Sequence, residues 1–201
     1  MKGILQAATF FYLWVGTLHA ADPQKTFTWE PPKVPQSMFS KDIGMLDSER
    51  EEYATNLAIY ASNLITANKA SAQSLADARR VMGLALHLSP RNKRAIVTSY
   101  QLTKGLLPEV VQTNYSPQVL ARLLLTRGQL LEKQGGDENK KLARYFIHLS
   151  ATMDPKNDDA VYASEVQRLD HGDVDWSPVT NGVPKPAPAP APAPSSDSNP
   201  P

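Results

Sequence analysis

The chain contains no cysteine among its 201 residues. This excludes disulfide bonds, thiolate nucleophiles and cysteine-ligated zinc sites. Aromatic residues make up only 7% of the sequence and charged residues 20%, and the formal net charge is +1. So small a net charge gives no global reason to expect nucleic acid as a partner. Without disulfides the fold has to be held by a packed core, and a helical body of about 130 residues can bury enough surface for that.

Catalytic motifs are also missing. The sequence has no Gly-rich phosphate loop, no nucleophile elbow and no His-Glu-x-x-His pattern. No carboxylate stands three or four residues from His87 or His148, so neither has a local partner for acid–base work. We therefore predict a protein that is not an enzyme and needs no cofactor. An enzyme whose site this sequence alone does not reveal remains an alternative.

No hydrophobic run is long enough to span a bilayer, which takes about 20 apolar residues. The longest apolar run covers residues 4–15, follows Lys2 and precedes the plausible cleavage site Leu18-His19-Ala20. This order predicts a secretory signal peptide over residues 1–20. An uncleaved anchor or a buried helix is the alternative. We expect an exported protein, periplasmic or extracellular, with no stable membrane span after cleavage.

Proline is concentrated at the ends of the chain, with nine of the 17 prolines at or after Pro178. The alternation of Pro and Ala after Pro184 favours polyproline II and cannot build a core, which predicts a disordered tail over residues 177–201. A spacer or a proline-rich ligand is the functional alternative. Residues 21–46 contain four prolines and predict an extended lead-in. The folded domain is then expected at residues 47–176.

Residues 47–176 show helical periodicity and no convincing period of two, which predicts an all-α fold of about six helices. Ser48 and Glu51 fit a capping box at the start of the first helix. Ser116-Pro117 fits the start of the fourth helix, and Gly135-Gly136 fits its end. The apolar spacing predicts these inward-facing residues in the third and fourth helices: Ala95, Ile96, Tyr100, Leu120, Leu123, Leu124, Leu130 and Leu131.

A short pattern occurs twice, 65 residues apart, and each copy ends in a Pro-x-Asn turn. The copies consist of Ala78, Met82, Ala85 and Pro90, and of Ala143, Ile147, Ser150 and Pro155. Small, large and small residues before a terminal proline resemble the second helix of the tetratricopeptide repeat (TPR), over about residues 49–169. The resemblance implies an antiparallel α-solenoid whose concave face binds a peptide or protein segment. It also implies that Ala61 and Gly128 are the small packing residues of the first helices.

Basic residues are concentrated in the middle of the chain. Residues 79–147 hold twelve basic and four acidic side chains, whereas residues 148–175 hold two basic and seven acidic ones. A basic patch with two tyrosines is the candidate binding surface: Arg79, Arg80, Arg91, Arg94, Tyr60, Tyr100 and Arg144. It would suit an acidic peptide, a polysaccharide or envelope phosphate. Ordinary solvated helix faces would give the same charge pattern, and this alternative stays open.

One acidic segment near the end of the helical region resembles a cation site in composition. Its metal-ligating side chains are Asp170, His171, Asp173 and Asp175. The glycine placement and distal glutamate of a calcium loop are missing, so no metal site is predicted. The alternative is a solvated stretch from which Trp176 folds back onto the repeats.

Together these features predict an exported, non-catalytic TPR-like scaffold that mediates protein–protein interaction in the cell envelope. Its partner would be another envelope or secreted protein or peptide, and not nucleic acid. The alternative function is a secreted or wall-associated carbohydrate- or metal-binding module that uses tyrosine and tryptophan faces.

Overall fold

The computed structural model describes residues 27–113 and 115–182. The predicted signal peptide and the Pro-Ala segment after Pro184 lie outside these residues. The described part contains seven α-helices and no strand, which confirms the predicted all-α class. None of these helices is both long and apolar enough to cross a membrane. The helices are α1 (Asp47–Ala67), α2 (Ala72–Leu88), α3 (Lys93–Thr103), α4 (Pro117–Gln134), α5 (Asp137–Met153), α6 (Asp158–His171) and α7 (Ser177–Asn181).

The helices form two groups of three. α1 packs along α2, and α3 packs on both of them. α4 packs along α5, and α6 packs on α5. The connections within each pair are short, which makes both pairs antiparallel hairpins. Gly135 and Gly136 make the second connection, and their φ angles of 72° and 84° are ones that glycine adopts without strain.

The repeated Pro-x-Asn turns are helix junctions. The Asn92 side chain accepts a hydrogen bond from the Ala95 backbone N–H (3.0 Å), and Asn157 accepts one from Ala160 (3.2 Å). Each asparagine is therefore the N-cap of the third helix of its group, α3 or α6. Ser116 caps α4 in the same way, as its sequence predicts.

The predicted capping box at the start of α1 is wrong. α1 begins at Asp47, its N-cap is Leu46, and no side chain caps it. The Glu51 carboxylate instead accepts hydrogen bonds from the Ser89 hydroxyl and from the Asn92 side-chain amide, the latter at 2.8 Å. Glu51 therefore ties α1 to the turn between α2 and α3, a long-range bond that the local pattern does not reveal.

Several side chains predicted to face inward lie at the surface. Ile96 and Tyr100 are 47% and 63% exposed, because α3 packs on α1 and α2 through Ala95, Thr98 and Leu102. Within the described residues no element covers the opposite side of α3. On α4, Leu123 and Leu130 are also exposed, while the remaining predicted residues are buried: Leu120, Leu124 and Leu131.

Small residues let the paired helices approach closely. Ala61 is fully buried on α1. A Cβ atom placed on Gly128 would lie 2.7 Å from Ile147 Cγ1 and 3.2 Å from the Ala143 carbonyl oxygen. These distances are shorter than normal carbon contacts, so α4 and α5 can adopt this spacing only with glycine at position 128.

The folded body extends beyond residues 47–176 in both directions. The described part of the lead-in has no regular structure, but Trp29 and Phe39 are buried in the core. At the other end α7 packs on α2 with Val179 fully buried. The Lys33 N–H donates to the Thr180 carbonyl (2.8 Å), so the two ends of the described chain bind each other. Apolar side chains among the prolines account for this packing.

Candidate interaction surfaces

Exposed large apolar side chains are concentrated on α3 and the connector that follows it. Six of the eleven exposed large hydrophobic side chains in the described residues lie here, each 41–63% exposed. We call this surface the α3 edge. Contiguous exposed apolar surface in a water-exposed protein commonly marks a binding site. Its apolar residues are Ile96, Val97, Tyr100, Leu106, Leu107 and Val110.

The connector is held against α1 by its backbone. The Asn63 side-chain amide donates to the Val111 carbonyl and its oxygen accepts from the Val111 N–H, both at 2.9 Å. The Thr66 hydroxyl donates to the Pro108 carbonyl at 2.8 Å. The chain is therefore fixed between residues 106 and 111 while its leucine side chains point to solvent.

The α3 edge is also basic. Between residues 91 and 113 there are four basic side chains, and Glu109 is the one acidic side chain. Lys104 Nζ lies 5.5 Å from the centroid of the Tyr100 ring, within range of a cation–π contact. Arg91 and Arg94, two of the candidate binding residues, lie just before and within the first turn of α3, which leads to Ile96 and Val97.

The charge at the start of α3 does not serve the stability of the helix. Helix N-termini favour acidic side chains by about 0.3–1 kcal/mol each, and α1, α5 and α6 each have two in their first turn. α3 begins with Lys93 and Arg94 instead. The equivalent residues 65 positions later are Asp158 and Asp159, which start α6 after the same Pro-x-Asn turn. The second group of helices therefore carries acidic residues at the same turn, so the basic pair is specific to the first group.

Arg79 is placed inside the structure and not on a free surface. Its Nε donates to the Glu30 carbonyl (2.9 Å), and its Nη2 contacts the Thr180 carbonyl (3.3 Å) and Asn181 Oδ1 (3.1 Å). Its side chain is only 18% exposed. Arg79 thus joins the lead-in, α2 and α7, which leaves little of it for a partner.

Arg144 is also used internally. Its Nη2 donates to the Gly172 carbonyl at 2.8 Å, just beyond the last turn of α6. A guanidinium at this place stabilises the carbonyl end of a helix. Of the candidate arginines, only Arg80, Arg91 and Arg94 remain available at the surface.

A second surface surrounds Trp176. Three adjoining depressions of about 480, 390 and 240 Å³ are all lined by Arg80 and Trp176. Tyr60 lines the smallest of them and also faces a groove of about 400 Å³ between α1 and α4. Burial, and then the charge of Asp77, raise the pKa of Tyr60. We call the three depressions together the Trp176 depression.

Trp176 is fixed by aromatic neighbours on α5. Its ring centroid lies 4.9 Å from that of Tyr145 and 5.9 Å from that of His148. The Tyr145 hydroxyl donates to the Asp175 carbonyl at 2.9 Å, and burial, together with the Asp175 charge, raises the pKa of Tyr145 to about 12. Burial and the nearby Arg80 cation lower the pKa of His148, so its imidazole is neutral at pH 7. Trp176 therefore folds back onto α5.

The four acidic-segment candidates do not converge on one point. Asp170 and His171 line a groove of about 580 Å³ between α4 and α6, whereas Asp173 lines the Trp176 depression. Asp175 Oδ1 accepts from the Ser177 N–H (2.9 Å), which lowers the pKa of Asp175. Within residues 27–113 and 115–182, no three His, Asp or Glu side chains are grouped to hold a metal ion.

Sequence reasoning missed the apolar part of the α3 edge and the Trp176 depression. In the sequence, Leu106, Leu107 and Val110 lie between the third and fourth predicted helices, and three apolar residues next to a basic helix are themselves a signal. Arg80 and Trp176 are 96 positions apart in the sequence, and no local pattern relates them.

No protein-family model, no curated protein and no solved structure matches this chain. The resemblance of its helix ends to tetratricopeptide repeats therefore rests only on the residues of those helix ends. The two surfaces described above are the basis for assigning a function.

Proposed function

We propose that this chain is an exported, non-catalytic TPR-like scaffold that binds another protein of the cell envelope through the α3 edge. The partner presents apolar side chains bordered by acidic ones. Apolar contact supplies most of the binding free energy, and the acidic border selects and orients the partner.

The observation that carries this proposal is the combination of exposed apolar side chains with basic residues that the fold does not need. Six large apolar side chains lie at 41–63% exposure on one edge. Burying one such side chain in an interface contributes about 1.5–3 kcal/mol if it was fully exposed, and about half as much at these exposures. The basic start of α3 works against helix stability and adds positive charge where a partner would approach.

The fixed connector favours a protein partner. Because Asn63 and Thr66 hold the connector backbone, its leucine side chains lose little freedom when a partner covers them. Single-stranded nucleic acid is disfavoured, because Tyr100 is the one aromatic residue among the exposed side chains of the edge. An anionic lipid surface has complementary charge as well, and the experiments below separate it from a protein.

The export proposal rests on sequence alone. A lysine, a short apolar run and a small-residue cleavage site are the pattern of a secretory signal. The absence of cysteine is compatible with an oxidising compartment, because the fold then does not depend on thiol chemistry.

The first experiment is proximity labelling in cells that naturally produce the protein, comparing the native chain with the double variant Arg91→Glu, Arg94→Glu. We expect the variant to lose one or a few labelled proteins, because reversed charge repels an acidic border. Lys156→Glu is the matched control, since Lys156 occupies the place of Arg91 in the second Pro-x-Asn turn. Circular dichroism verifies that all variants keep their helix content.

The control variant should label the same proteins as the native chain. If the Arg91/Arg94 variant also labels an unchanged set of proteins, the α3 edge is not the binding surface. If labelling follows membrane fractions and no protein is lost, the edge binds lipid and the proposal is wrong.

A further inference from the structure

The Trp176 depression has features that the proposed protein-binding function does not use. It is lined by residues of the lead-in, α1, α2, α5, α6, α7 and the segment before α7, and by none of the apolar residues of the α3 edge. Two of its three parts exceed the 300 Å³ at which small-molecule pockets usually begin, and the third is slightly smaller. Its position and size suggest a separate site for a small ligand.

The floor of this depression is a fixed indole ring. Trp176 packs against Tyr145 and His148 of α5, and its carbonyl accepts hydrogen bonds from the Val179 and Thr180 N–H groups at 3.1 Å each. The ring is only partly buried and lines all three depressions. A ligand would therefore meet an aromatic face whose position is set before binding.

The depression is lined by three basic and four acidic side chains: Arg79, Arg80 and Arg168, and Glu30, Asp77, Glu165 and Asp173. Arg80 pairs with Asp77 at 3.3 Å, and Arg168 pairs with Glu165 through two bonds at 2.8 and 2.9 Å. Arg79 pairs with Glu30 at 3.5 Å, and Asp173 is the remaining charged side chain of the lining. The first two pairs leave further donors and acceptors directed to solvent, because a guanidinium has five N–H groups and a carboxylate about four acceptor positions. Because the charges nearly cancel, a strongly charged ligand would gain little net attraction here.

We propose that the Trp176 depression binds a short, uncharged oligosaccharide. A sugar ring presents an apolar C–H face that suits the indole, and hydroxyl groups that both donate and accept. Carboxylates of Asp77 and Glu165 accept from such hydroxyls, and guanidinium groups of Arg80 and Arg168 donate to them. The shallow form of the site also suits a chain of sugar rings that continues beyond it. An extended peptide is the competing ligand, and the test includes it.

The test uses the full chain with Trp14→Phe, which leaves Trp29 and Trp176, both in the lining of the depression, as the only tryptophans. The tryptophan fluorescence of this variant is titrated with tetrasaccharides of glucose, of mannose and of N-acetylglucosamine, with a uronic acid tetrasaccharide, and with a mixed library of tetrapeptides. We expect at least one uncharged saccharide to change the emission with saturation, and the uronic acid chain and the peptides to have no effect.

Variants then locate the site. Trp176→Ala should abolish binding in calorimetry, but it also removes core contacts. The double variant Arg80→Gln, Arg168→Gln is therefore the decisive one, because about half of each side chain is exposed and neither supports the core. We expect affinity to fall about tenfold, which corresponds to about 1.4 kcal/mol. Arg122→Gln, an exposed arginine in the groove between α4 and α6, is the matched control and should not change affinity.

Three results would overturn this inference: no response to any of the uncharged saccharides, a response to the peptides or the uronic acid chain alone, or equal affinity of the native chain and the Arg80/Arg168 variant. Its failure is distinguishable from failure of the proposed function. The Arg80/Arg168 variant should leave the proteins labelled through the α3 edge unchanged.

Discussion

Gly128 offers the sharpest test of how α4 and α5 pack. Alanine is favoured over glycine inside a helix by about 1 kcal/mol, so an unconstrained Gly128→Ala substitution would stabilise the protein. Here the new methyl group would lie 2.7 Å from Ile147 Cγ1, close to the root of a side chain that is only 1% exposed. Overpacking costs about 1–3 kcal/mol, and we expect the upper part of that range because the 3.2 Å contact with the Ala143 carbonyl also resists movement. The net prediction is a loss of about 2 kcal/mol in the free energy of unfolding.

A second substitution tests whether the contact with Ile147 causes the loss of stability. Ile147→Ala removes Cγ1 and should by itself cost about 2–5 kcal/mol, because it leaves a cavity. In the double variant the methyl group at position 128 enters that space. The double variant should therefore lose about 1–3 kcal/mol less than the sum of the two single losses.

Urea unfolding of the four proteins, followed by circular dichroism at 222 nm, measures this cycle. Gln129→Ala, an exposed neighbour on α4, is the control and should change stability by less than about 0.5 kcal/mol. The reasoning is refuted if Gly128→Ala stabilises the protein by the helix-propensity amount, or if the two substitutions are additive within about 0.5 kcal/mol.

Three further predictions concern other parts of the fold. Gly83→Ala would place a Cβ 2.5 Å from the Val179 carbonyl oxygen, so α7 should detach from α2. The backbone amides of α7 should then exchange faster in hydrogen-exchange mass spectrometry, and unchanged protection would contradict this. His87 is buried, accepts the Met38 N–H at Nδ1 (3.1 Å), and has its pKa lowered by burial. As the pH falls, the unfolded chain therefore binds a proton at His87 before the folded chain does. The stabilisation that comes from neutral His87 is complete above about pH 6.5 and should decline as the pH falls below that value. A urea midpoint that is flat from pH 7.5 to 5 would contradict this. Asn92→Ala removes a buried N-cap whose side-chain amide also donates to Glu51 of α1. Urea unfolding should report a loss of about 1–3 kcal/mol in the free energy of unfolding, and a loss below about 0.5 kcal/mol would show the amide to be dispensable.

Local chemistry was readable from the sequence. Ser116 was predicted as an N-cap, and Asn92 and Asn157, predicted as turn residues, cap helices in the same way, through bonds to an N–H three residues ahead that depend only on neighbouring residues. The all-α class followed from helical periodicity for the same reason. Gly128 was singled out because the resemblance to tetratricopeptide repeats implies a small packing residue in the first helix of each unit.

Contacts between distant residues were not readable. Arg79 looked like a solvated cation because its carbonyl partner, Thr180, is 101 positions away in the chain. The apolar stripe of α3 was interpreted as a core face, since periodicity identifies a stripe without identifying what covers it. Ile96 and Tyr100 are exposed because the fold places α3 at the margin of its helix group.

The central claim, that the α3 edge binds a protein, is tested most directly by site-specific photocrosslinking. The photoreactive amino acid p-benzoylphenylalanine replaces Tyr100 in one version of the full chain and Tyr162 in another. Tyr162, at 73% exposure on α6, is at least as accessible as Tyr100 at 63%. We predict a discrete protein adduct from position 100 in the native envelope, none from position 162, and loss of the adduct when Arg91→Glu and Arg94→Glu are added. Equal adducts from both positions, or no protein adduct from position 100, would contradict the claim.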